Sequence, residues 1–252
     1  MAVYSPTNTP EQNFALLGEN PYPGRLLIAG YTAGDVAVQA YALMGRSAGS
    51  QNRRLIDGGG VIFTEMADPN ASVGDPELTI YPAMMSIGDS HIVSNGRQTA
   101  TVAEYLMDGR IFAAAMGATT YEPDAPTHTP RITAVQHLGA TTGSLFEISV
   151  IRKSPHGNAP IHELYDDGDL GYGPGQEVGF CVHTYSGDGD PLPSFAERPF
   201  RVPVLGNADE MAAMVWGNLN PQNRVAVAAK TITPDGYVEY AILNRHGSTD
   251  EL

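Results

Sequence analysis

The segment at residues 45–54, which reads GRSAGSQNRR, carries the densest candidate chemistry in the chain. It holds three arginines and four small hydroxyl or amide residues in ten positions. Arginine presents a rigid planar fork of donors that matches a phosphate or a carboxylate, whereas lysine is a flexible point charge. The chain has only two lysines, Lys153 and Lys230, so its positive charge depends on arginine. The segment therefore predicts a pocket for a small anion, with surface salt bridges as an equally good explanation for any single arginine.

Three later segments also join reactive residue types to rigid backbone. In SNGRQTATVAEYL, residues 94–106, Asn95 comes directly before an expected helix whose first N–H groups could receive an anion or a developing oxyanion. YEPDAPTHTPRI, residues 121–132, joins two acids and Arg131 to a proline-rich stretch. VHTYSGDGDPLPSF, residues 182–195, ends a strand with His, Thr and Tyr together. A turn with a helix cap explains the first segment about as well, and structural corners explain the other two.

Composition and absent motifs argue against several classes of function. The formal net charge of -14 over 252 residues leaves no broad basic face of the kind that nucleic acids require. No GxxxxGK[ST] occurs, and residues 58–60 lack the strand and spacing of a dinucleotide fingerprint. The single cysteine, Cys181, excludes an internal disulfide, and the histidines lack zinc-binding spacing. We therefore expect no cofactor and no metal, and a small molecule rather than a nucleic acid as the partner.

Short strand-like runs separated by turns form the framework that must position these segments. The first two, at residues 25–31 and 36–44, predict a hairpin around Gly34. Because hairpins rather than helical crossovers join most strands, the pattern predicts an α+β domain of mainly antiparallel sheets with helices on their faces. The other predicted strands are 83–87, 91–94, 131–138, 144–152, 177–185 (half-buried), 224–230 and 237–244, and the predicted helices are 98–107 with Thr99 as N-cap, 111–117, and 207–219 with Asn207 as N-cap.

The whole chain, residues 1–252, is expected to form one domain. Residues 1–24 are rich in Asn, Pro and Gly, and predict a loop whose first 20 residues are flexible. Residues 153–175 are rich in Gly, Pro and acids, and predict an irregular insertion. No apolar run approaches 18 residues, and the N-terminus lacks a basic region followed by an apolar core. We therefore expect no membrane span and a cytoplasmic location, and a homo-oligomer stays open.

Four motifs follow one another along the chain: NPYPGR at 20–25, GRSxxSxNR at 45–53 after the hairpin that holds Tyr41, SNGRQTAT at 94–101, and YEPDAPTHTPRI at 121–132. In this order they resemble the archaeal-type inosine monophosphate (IMP) cyclohydrolases and their bacterial relatives, over roughly residues 20–245. The resemblance implies a four-layer αββα sandwich similar to the fold of the N-terminal-nucleophile (Ntn) hydrolases. Their autocatalytic nucleophile is missing, because removal of Met1 would expose Ala2.

The resemblance also implies the last step of purine synthesis, the ring closure of 5-formamidoimidazole-4-carboxamide ribonucleotide to IMP with loss of water. Such a site needs a phosphate clamp, an oxyanion donor and a general acid or base, but no redox cofactor. Two alternatives stay open: a non-catalytic module that binds a nucleotide or small anion, and an amide hydrolase for a related phosphorylated carboxamide. If the chain is a cyclohydrolase, we expect phosphate or ribose to be held by Arg25, Arg46, Ser47, Asn52 and Arg53. We expect Asn95 to polarise the formyl oxygen, and Tyr41 and Glu104 to move protons. Arg131 then engages substrate or pairs with Glu122 or Asp124.

Overall fold

Within the part of the chain that the structure describes, short apolar runs form two antiparallel sheets. The structure is a computed structural model, and it describes residues 4–71, 76–139, 143–173 and 175–247. The first sheet has the spatial order β11-β10-β1-β2-β12-β13, and the second runs from β3 to β9 in chain order. The strands are β1 (Arg25–Tyr31), β2 (Ala37–Met44), β3 (Arg53–Asp57), β4 (Ile62–Met66), β5 (Pro82–Ile87), β6 (Ser90–Ser94), β7 (Arg131–His137), β8 (Phe146–Lys153), β9 (Pro160–Asp166), β10 (Val178–His183), β11 (Phe200–Val202), β12 (Arg224–Ile232) and β13 (Val238–Asn244).

Each of the longer helices contacts only one of the two sheets closely. Helices α1 and α6 contact the first sheet, α4 and α5 contact the second, and the sheets meet through β1 with β7, β2 with β6, and β12 with β3. The predicted α+β class with mainly antiparallel sheets is therefore confirmed. The helices are α1 (Pro10–Glu19), α2 (Ala48–Gln51), α3 (Pro76–Thr79), α4 (Gln98–Met107), α5 (Phe112–Gly117) and α6 (Ala208–Asn218).

The centre of the first sheet anchors the fold and sets the position of the site. Strands β2 and β12 are buried along almost their whole length, because α6 covers them and the second sheet contacts them as well. Full burial of one large apolar side chain contributes about 1.5–3 kcal/mol, so residues such as Leu43 and Val227 hold the layers together. Arg25 begins β1 and Arg131 begins β7, and both contact Glu122. The starts of these two strands therefore lie at the same end of the sandwich.

The local predictions succeeded where the pattern was strongest. All three hairpins and the strand pair 224–244 are confirmed, with strand ends displaced by no more than two residues. The turn of the third hairpin, at 139–143, lies partly outside the described residues, because 140–142 are not described. The helices at 98–107, 111–117 and 207–219 are confirmed to within one residue at each end. Asn207 caps α6 as predicted, since its side chain accepts the N–H of Glu210 at 3.0 Å.

Four predictions about local structure are wrong. Residues 10–19, expected in a loop, form α1, because Thr9 and Gln12 make a capping box. Residues 160–166, within the expected irregular insertion, form β9, which gains its order by pairing with β8. The strand at 177–185, expected to be half-buried, is buried at every position of β10. Thr99 lies inside α4 rather than at its cap, and its hydroxyl donates to the Gly96 carbonyl at 2.9 Å. Ala2 lies outside the described residues.

Candidate functional site

A cavity of about 410 Å³ opens at the end of the sandwich where β1 and β7 begin. It brings together residues from the predicted anion segment, from NPYPGR, from the YEPD motif and from the end of the VHTY segment. A larger cavity of about 1170 Å³ beside Tyr4 has two arginines in its lining, whereas this one has three, together with acids and hydroxyls. Its lining includes Tyr22, Arg25, Arg46, Ser47, Gly49, Ser50, Arg53, Glu122, Asp124, Thr127, Tyr185 and Leu192.

Two arginines share one buried carboxylate in the wall of this cavity. Glu122 is 2% exposed and accepts from Nη2 of Arg25 and, at 3.2 Å, from Nη1 of Arg131. Burial disfavours the charged form of Arg25, but Glu122 and the nearby Tyr81 outweigh burial and raise the pKa of Arg25. For Arg131 burial is again the largest influence, and here it lowers the pKa, because Glu122 does not fully offset burial and the repulsion from Arg25. The cluster of Arg25, Arg131 and Glu122 carries more positive than negative charge, so it favours an anionic or strongly polar ligand.

Arg25 also has a donor that the protein does not use. Among the described residues, its Nε atom is buried and has no hydrogen-bond partner. An unpaired buried donor costs about 1–3 kcal/mol, and more for a charged group. Arg25 lines the cavity with other atoms of its side chain, so a ligand oxygen could remove this cost if the guanidinium turned to present Nε to the cavity. This makes Arg25 the side chain best prepared to bind a ligand.

The SNGRQ motif holds Arg131 in place. A Cβ atom at Gly96 would overlap Nη1 of Arg131, so only glycine admits the guanidinium there. Asn95 is fully buried, donates to the Pro130 carbonyl at 2.8 Å and accepts from the Ile132 N–H at 2.9 Å. Its oxygen also accepts from the Gln98 amide at 2.9 Å. The motif therefore joins β6 and α4 to β7.

A buried pair of tyrosines lies next to Arg25. The hydroxyls of Tyr41 and Tyr81 are 2.7 Å apart, and the two side chains are almost completely buried. Burial is the main cause that raises the pKa of Tyr41, and Tyr81 adds to it, while Arg25 acts in the opposite direction. Tyr41 therefore stays protonated at ordinary pH. Neither tyrosine is among the lining residues, so the hydroxyl of Tyr41 has Tyr81 rather than a ligand in the cavity as its partner.

The NPYPGR motif shapes the wall beside the second half of the cavity. Asn20 accepts from the Tyr22 N–H at 3.0 Å and donates to the Tyr185 carbonyl at 3.2 Å. Gly24 has φ +78°, and a Cβ there would overlap Thr184 and the Tyr185 ring. The rings of Tyr22 and Tyr185 are nearly parallel, 12° apart, with centroids separated by 5.8 Å. The motif thus fixes two tyrosines that line the cavity.

The rim of the cavity carries the more accessible charge. The Arg46 side chain is 38% exposed, pairs with Asp188 and lies 5.1 Å from the centre of the Tyr22 ring. Ser47 caps α2 by accepting from the Ser50 N–H at 3.2 Å. Arg53 is nearly buried and donates to the carbonyls of Ser50 at 2.9 Å and Met44 at 3.1 Å. Arg46 is therefore the rim cation that can turn to a ligand by exchanging one exposed ion pair.

The structure brings only some of the predicted site residues together. Arg25, Arg46, Ser47 and Arg53 line the cavity, and Arg131 reaches it through Glu122. Asn52 does not line it; its side chain bonds the backbone of Asp68 at 3.0 and 2.7 Å and so holds the loop that follows β4. Glu104 does not line it either, because it is exposed on α4, whose buried residues face the second sheet. Asn95, as described above, is used to join backbone segments. The side chain of Arg54, to which no role was given, pairs with Glu65 at 2.6 Å.

Sequence reasoning missed three residues that the structure places at or beside the cavity. Asp124 entered only as a partner for Arg131, but it lines the cavity and accepts from Thr129. Tyr185 lines the cavity as well, and its only signal was the cluster of polar residues at the end of a strand. No feature of the sequence indicated a role for Tyr81, because it lies in a short apolar stretch and comes near Arg25 only through the stacking of the sheets.

No three His, Cys, Asp or Glu side chains of the described residues come close enough to hold a metal ion. No described helix has the length and apolar character needed to cross a bilayer.

The comparisons with known proteins point to one family. A sequence model of the family described as "IMP cyclohydrolase-like protein" matches residues 22–236, which is well over half of the chain. A curated relative from the archaeon Methanothrix thermoacetophila, named IMP cyclohydrolase, is 32% identical over 118 residues. That alignment covers 45% of this chain and 57% of the relative, so the chain spans little more than half the length of the relative it matches.

Proposed function

Because the chain belongs to the IMP cyclohydrolase-like family, we propose that it converts 5-formamidoimidazole-4-carboxamide ribonucleotide into IMP by ring closure with loss of water. The reaction forms one C–N bond between two groups that already share an imidazole ring. Proximity is therefore built into the substrate, and the protein must supply orientation, charge stabilisation and proton transfer. This ring closure is a cyclohydrolase reaction of the EC 3.5.4 type. The name of the archaeal relative supports the same activity for this chain.

The buried Arg25 with its unused Nε donor is the observation that carries this proposal. As the carboxamide nitrogen attacks the formyl carbon, the formyl oxygen becomes an anion that needs a preorganised donor. We assign this role to Arg25 rather than to Asn95, because Asn95 already bonds three protein groups. Glu122 fixes the Arg25 guanidinium, and Arg131 shares Glu122 without lining the cavity.

The rim supplies the phosphate clamp in this proposal. Arg46 is exposed enough to exchange Asp188 for a phosphate, and the hydroxyls of Ser47 and Ser50 lie beside it in the lining. Arginine suits this task, because its fork matches two phosphate oxygens at once. Arg53 holds the loop in shape through two backbone carbonyls. The cavity volume of about 410 Å³ falls within the range of about 300–1,000 Å³ that small-molecule sites occupy.

The family also extends the proposal to the architecture. Helices on one sheet, two sheets in contact and helices on the other sheet support a four-layer αββα sandwich of the Ntn-hydrolase type. A cytoplasmic location belongs to the same proposal, and the buried thiol of Cys181 is compatible with a reducing compartment. The proposed reaction needs a nucleotide substrate and no redox or energy cofactor.

The test is an absorbance assay that follows purine formation from the formylated ribonucleotide. Arg46→Ala is expected to lower kcat/KM by about 10–100-fold, mainly through KM, because a charge-assisted bond to phosphate contributes about 1.5–3 kcal/mol. Arg54→Ala is the matched control, since Arg54 pairs with Glu65 and does not line the cavity. Arg25→Lys keeps the charge but loses the fork, and we expect kcat to fall by about 10²–10³.

The same assay separates the alternatives. A wild-type protein that consumes no precursor refutes the cyclohydrolase proposal. If it still binds IMP in a calorimeter, it is a nucleotide-binding module, and if it releases ammonia from a phosphorylated carboxamide, it is an amide hydrolase. An Arg46→Ala variant that matches wild type while Arg54→Ala does not would show that the phosphate site has been misplaced.

A further inference from the structure

The side chains of Tyr185, Thr129 and Asp124 form a continuous series of hydrogen bonds, and both of its ends, Tyr185 and Asp124, line the cavity. The Tyr185 hydroxyl lies 2.6 Å from Oγ1 of Thr129, and this Oγ1 donates to Oδ2 of Asp124. The Thr129 N–H donates to the other Asp124 oxygen at 2.7 Å. Tyr185 is 4% exposed, lines the cavity and belongs to none of the motifs that indicated the family. Thr129 is fully buried, so this part of the chain is closed to bulk water.

The positions of the protons follow from the number of donors. An Asp carboxylate only accepts, so the single hydroxyl proton of Thr129 must point to Asp124. The Thr129 oxygen can then only accept, and the Tyr185 hydroxyl must donate to it. What remains on the Tyr185 oxygen is a lone pair that can face a ligand in the cavity. Tyr185 therefore meets the substrate as a proton acceptor.

Tyr185 could not act as a base alone. Burial raises its pKa to about 12, although Arg25 and the bond to Thr129 act in the opposite direction. A phenol with this pKa does not lose its proton spontaneously near neutral pH. It can accept a proton from substrate only if its own proton leaves at the same time, and Thr129 is placed to receive that proton.

Rigid neighbouring residues hold Tyr185, Thr129 and Asp124 at these hydrogen-bonding distances. The Tyr22 ring stacks on the Tyr185 ring, and Asn20 bonds the Tyr185 carbonyl. Gly24 leaves just enough space for the ring. On the other side, Asp124 accepts the N–H groups of both Thr127 and His128 through its backbone carbonyl, at 3.0 and 3.1 Å, which closes the loop around it. A change of the distances within the chain would require these contacts to break.

We propose that Tyr185 is a catalytic residue for the ring closure and that Thr129 and Asp124 are the positioned groups of its proton relay. The inference rests on the proposed function. When the carboxamide nitrogen forms its bond to the formyl carbon, one proton of that nitrogen moves to Tyr185, the Tyr185 proton moves to Thr129, and the Thr129 proton moves to Asp124. The electron pair of the formyl C=O bond moves onto its oxygen, which Arg25 stabilises.

The same path then runs in reverse. Asp124 returns its proton through Thr129 and Tyr185 to the new alkoxide, which becomes a hydroxyl group. In the dehydration, the proton of the formamide nitrogen is removed by the relay and delivered to this hydroxyl, which leaves as water while the C=N bond forms. Asp124 is protonated only between the removal of a proton from the substrate and its return, and it is ionised again when water has left, so no external acid, base or oxidant is required.

Steady-state kinetics on a set of variants that separate the hydroxyl from the shape of the side chain test the relay. Tyr185→Phe is expected to lower kcat by about 10²–10⁴ with a KM within about threefold of wild type, since proton transfer contributes about this factor. Thr129→Val keeps the shape and removes the hydroxyl, and should show a comparable loss. Thr129→Ser restores the hydroxyl and should recover kcat to within a few-fold of wild type. The double variant Tyr185→Phe/Thr129→Val should be no slower than Tyr185→Phe, because a relay fails as a unit.

Thermal unfolding and IMP binding accompany every variant, so that loss of structure is not read as loss of catalysis. If wild type turns over and Tyr185→Phe retains its kcat, the relay is overturned while the proposed function stands. The relay is also overturned if Thr129→Ser is as slow as Thr129→Val, since that result assigns Thr129 a packing role. If wild type shows no turnover, the proposed function fails and the relay fails with it.

Discussion

Lys230 offers a sharp physical test of the fold, because it is a buried amine without a carboxylate partner among the described residues. It is 0% exposed, and its Nζ lies 2.6 Å from the Ser86 hydroxyl and 2.8 Å from Nδ1 of His91. The Tyr240 ring is 5.6 Å away. Burial lowers the pKa of Lys230 to about 7, and burial together with Lys230 lowers the pKa of His91 to about 3. His91 is therefore neutral at any ordinary pH, and of these two groups only Lys230 titrates near neutrality.

The sign and size of the effect on stability follow from proton linkage. In the unfolded chain Lys230 has its ordinary pKa of 10.5, against about 7 in the folded chain. Between these values the unfolded chain binds more protons, so stability rises with pH. The full difference corresponds to about 5 kcal/mol, at about 1.4 kcal/mol for each pH unit. The cost of burying the charged amine is complete below pH 7, about 3 kcal/mol of it is recovered by pH 9, and all of it above pH 10.5.

Urea denaturation of wild type and Lys230→Met at pH 7, 8 and 9 measures this contribution. Methionine removes the titrating group, and Ser86 can still bond His91 at 2.9 Å. The other titrating groups are common to both proteins, and His91, whose pKa Lys230 lowers, is neutral in wild type over this pH range. We expect wild type to gain about 1 kcal/mol relative to Lys230→Met between pH 7 and 8, where the folded amine is still partly protonated, and slightly more between pH 8 and 9. Lys153→Met, the change at the other lysine, should leave the wild-type slope unaltered.

A direct reading is also within reach, because the chain has only two lysines. Protein labelled with 13C at the lysine ε carbon gives two signals from the folded chain, and Lys153→Arg identifies which belongs to Lys230. The reasoning is refuted if the Lys230 signal does not titrate between pH 6 and 8, or if the stability difference from Lys230→Met does not change with pH.

Three further predictions concern individual contacts. Gly24→Ala should destabilise the fold by more than about 2 kcal/mol in urea denaturation, because it adds a clash with Tyr185 to the strain of a positive φ. Gly59→Ala, at a position with a similar φ but open space, should cost no more than about 1 kcal/mol. Equal losses in the two variants would contradict the clash. Asn207→Ala should lower the free energy of unfolding by about 1 kcal/mol through loss of the α6 cap. Asn220→Ala removes a bond to the Gln222 N–H in a turn beyond that helix, and a larger loss there than at Asn207 would contradict the importance of the cap. Glu104→Gln should leave kcat/KM within about twofold of wild type, and a large loss would show that Glu104 acts in catalysis after all.

Some features of the protein were decided by local sequence. The hairpin at 25–44 and the helix at 207–219 were predictable, because alternation, turn residues and caps act between positions a few residues apart. The segment at 45–54 was predicted to form a pocket for a small anion, and Arg46, Ser47, Ser50 and Arg53 of this segment line the cavity. Where local signals were weak, the prediction failed: β9 becomes a strand only because β8 offers a partner for its backbone.

The functional geometry was decided by the tertiary structure. Glu122 meets both Arg25 and Arg131, although Arg25 lies 97 positions away, and Tyr185 reaches Thr129 over 56 positions. No short-range rule fixes such distances, because they depend on how two sheets stack and on which side chains their ends bring together. Asn95 shows the same limit: its type suited an oxyanion donor, but three protein groups already occupy it. The sequence therefore determined which chemical groups were present and which local elements carry them, and the packing of those elements determined which groups are left to face a ligand.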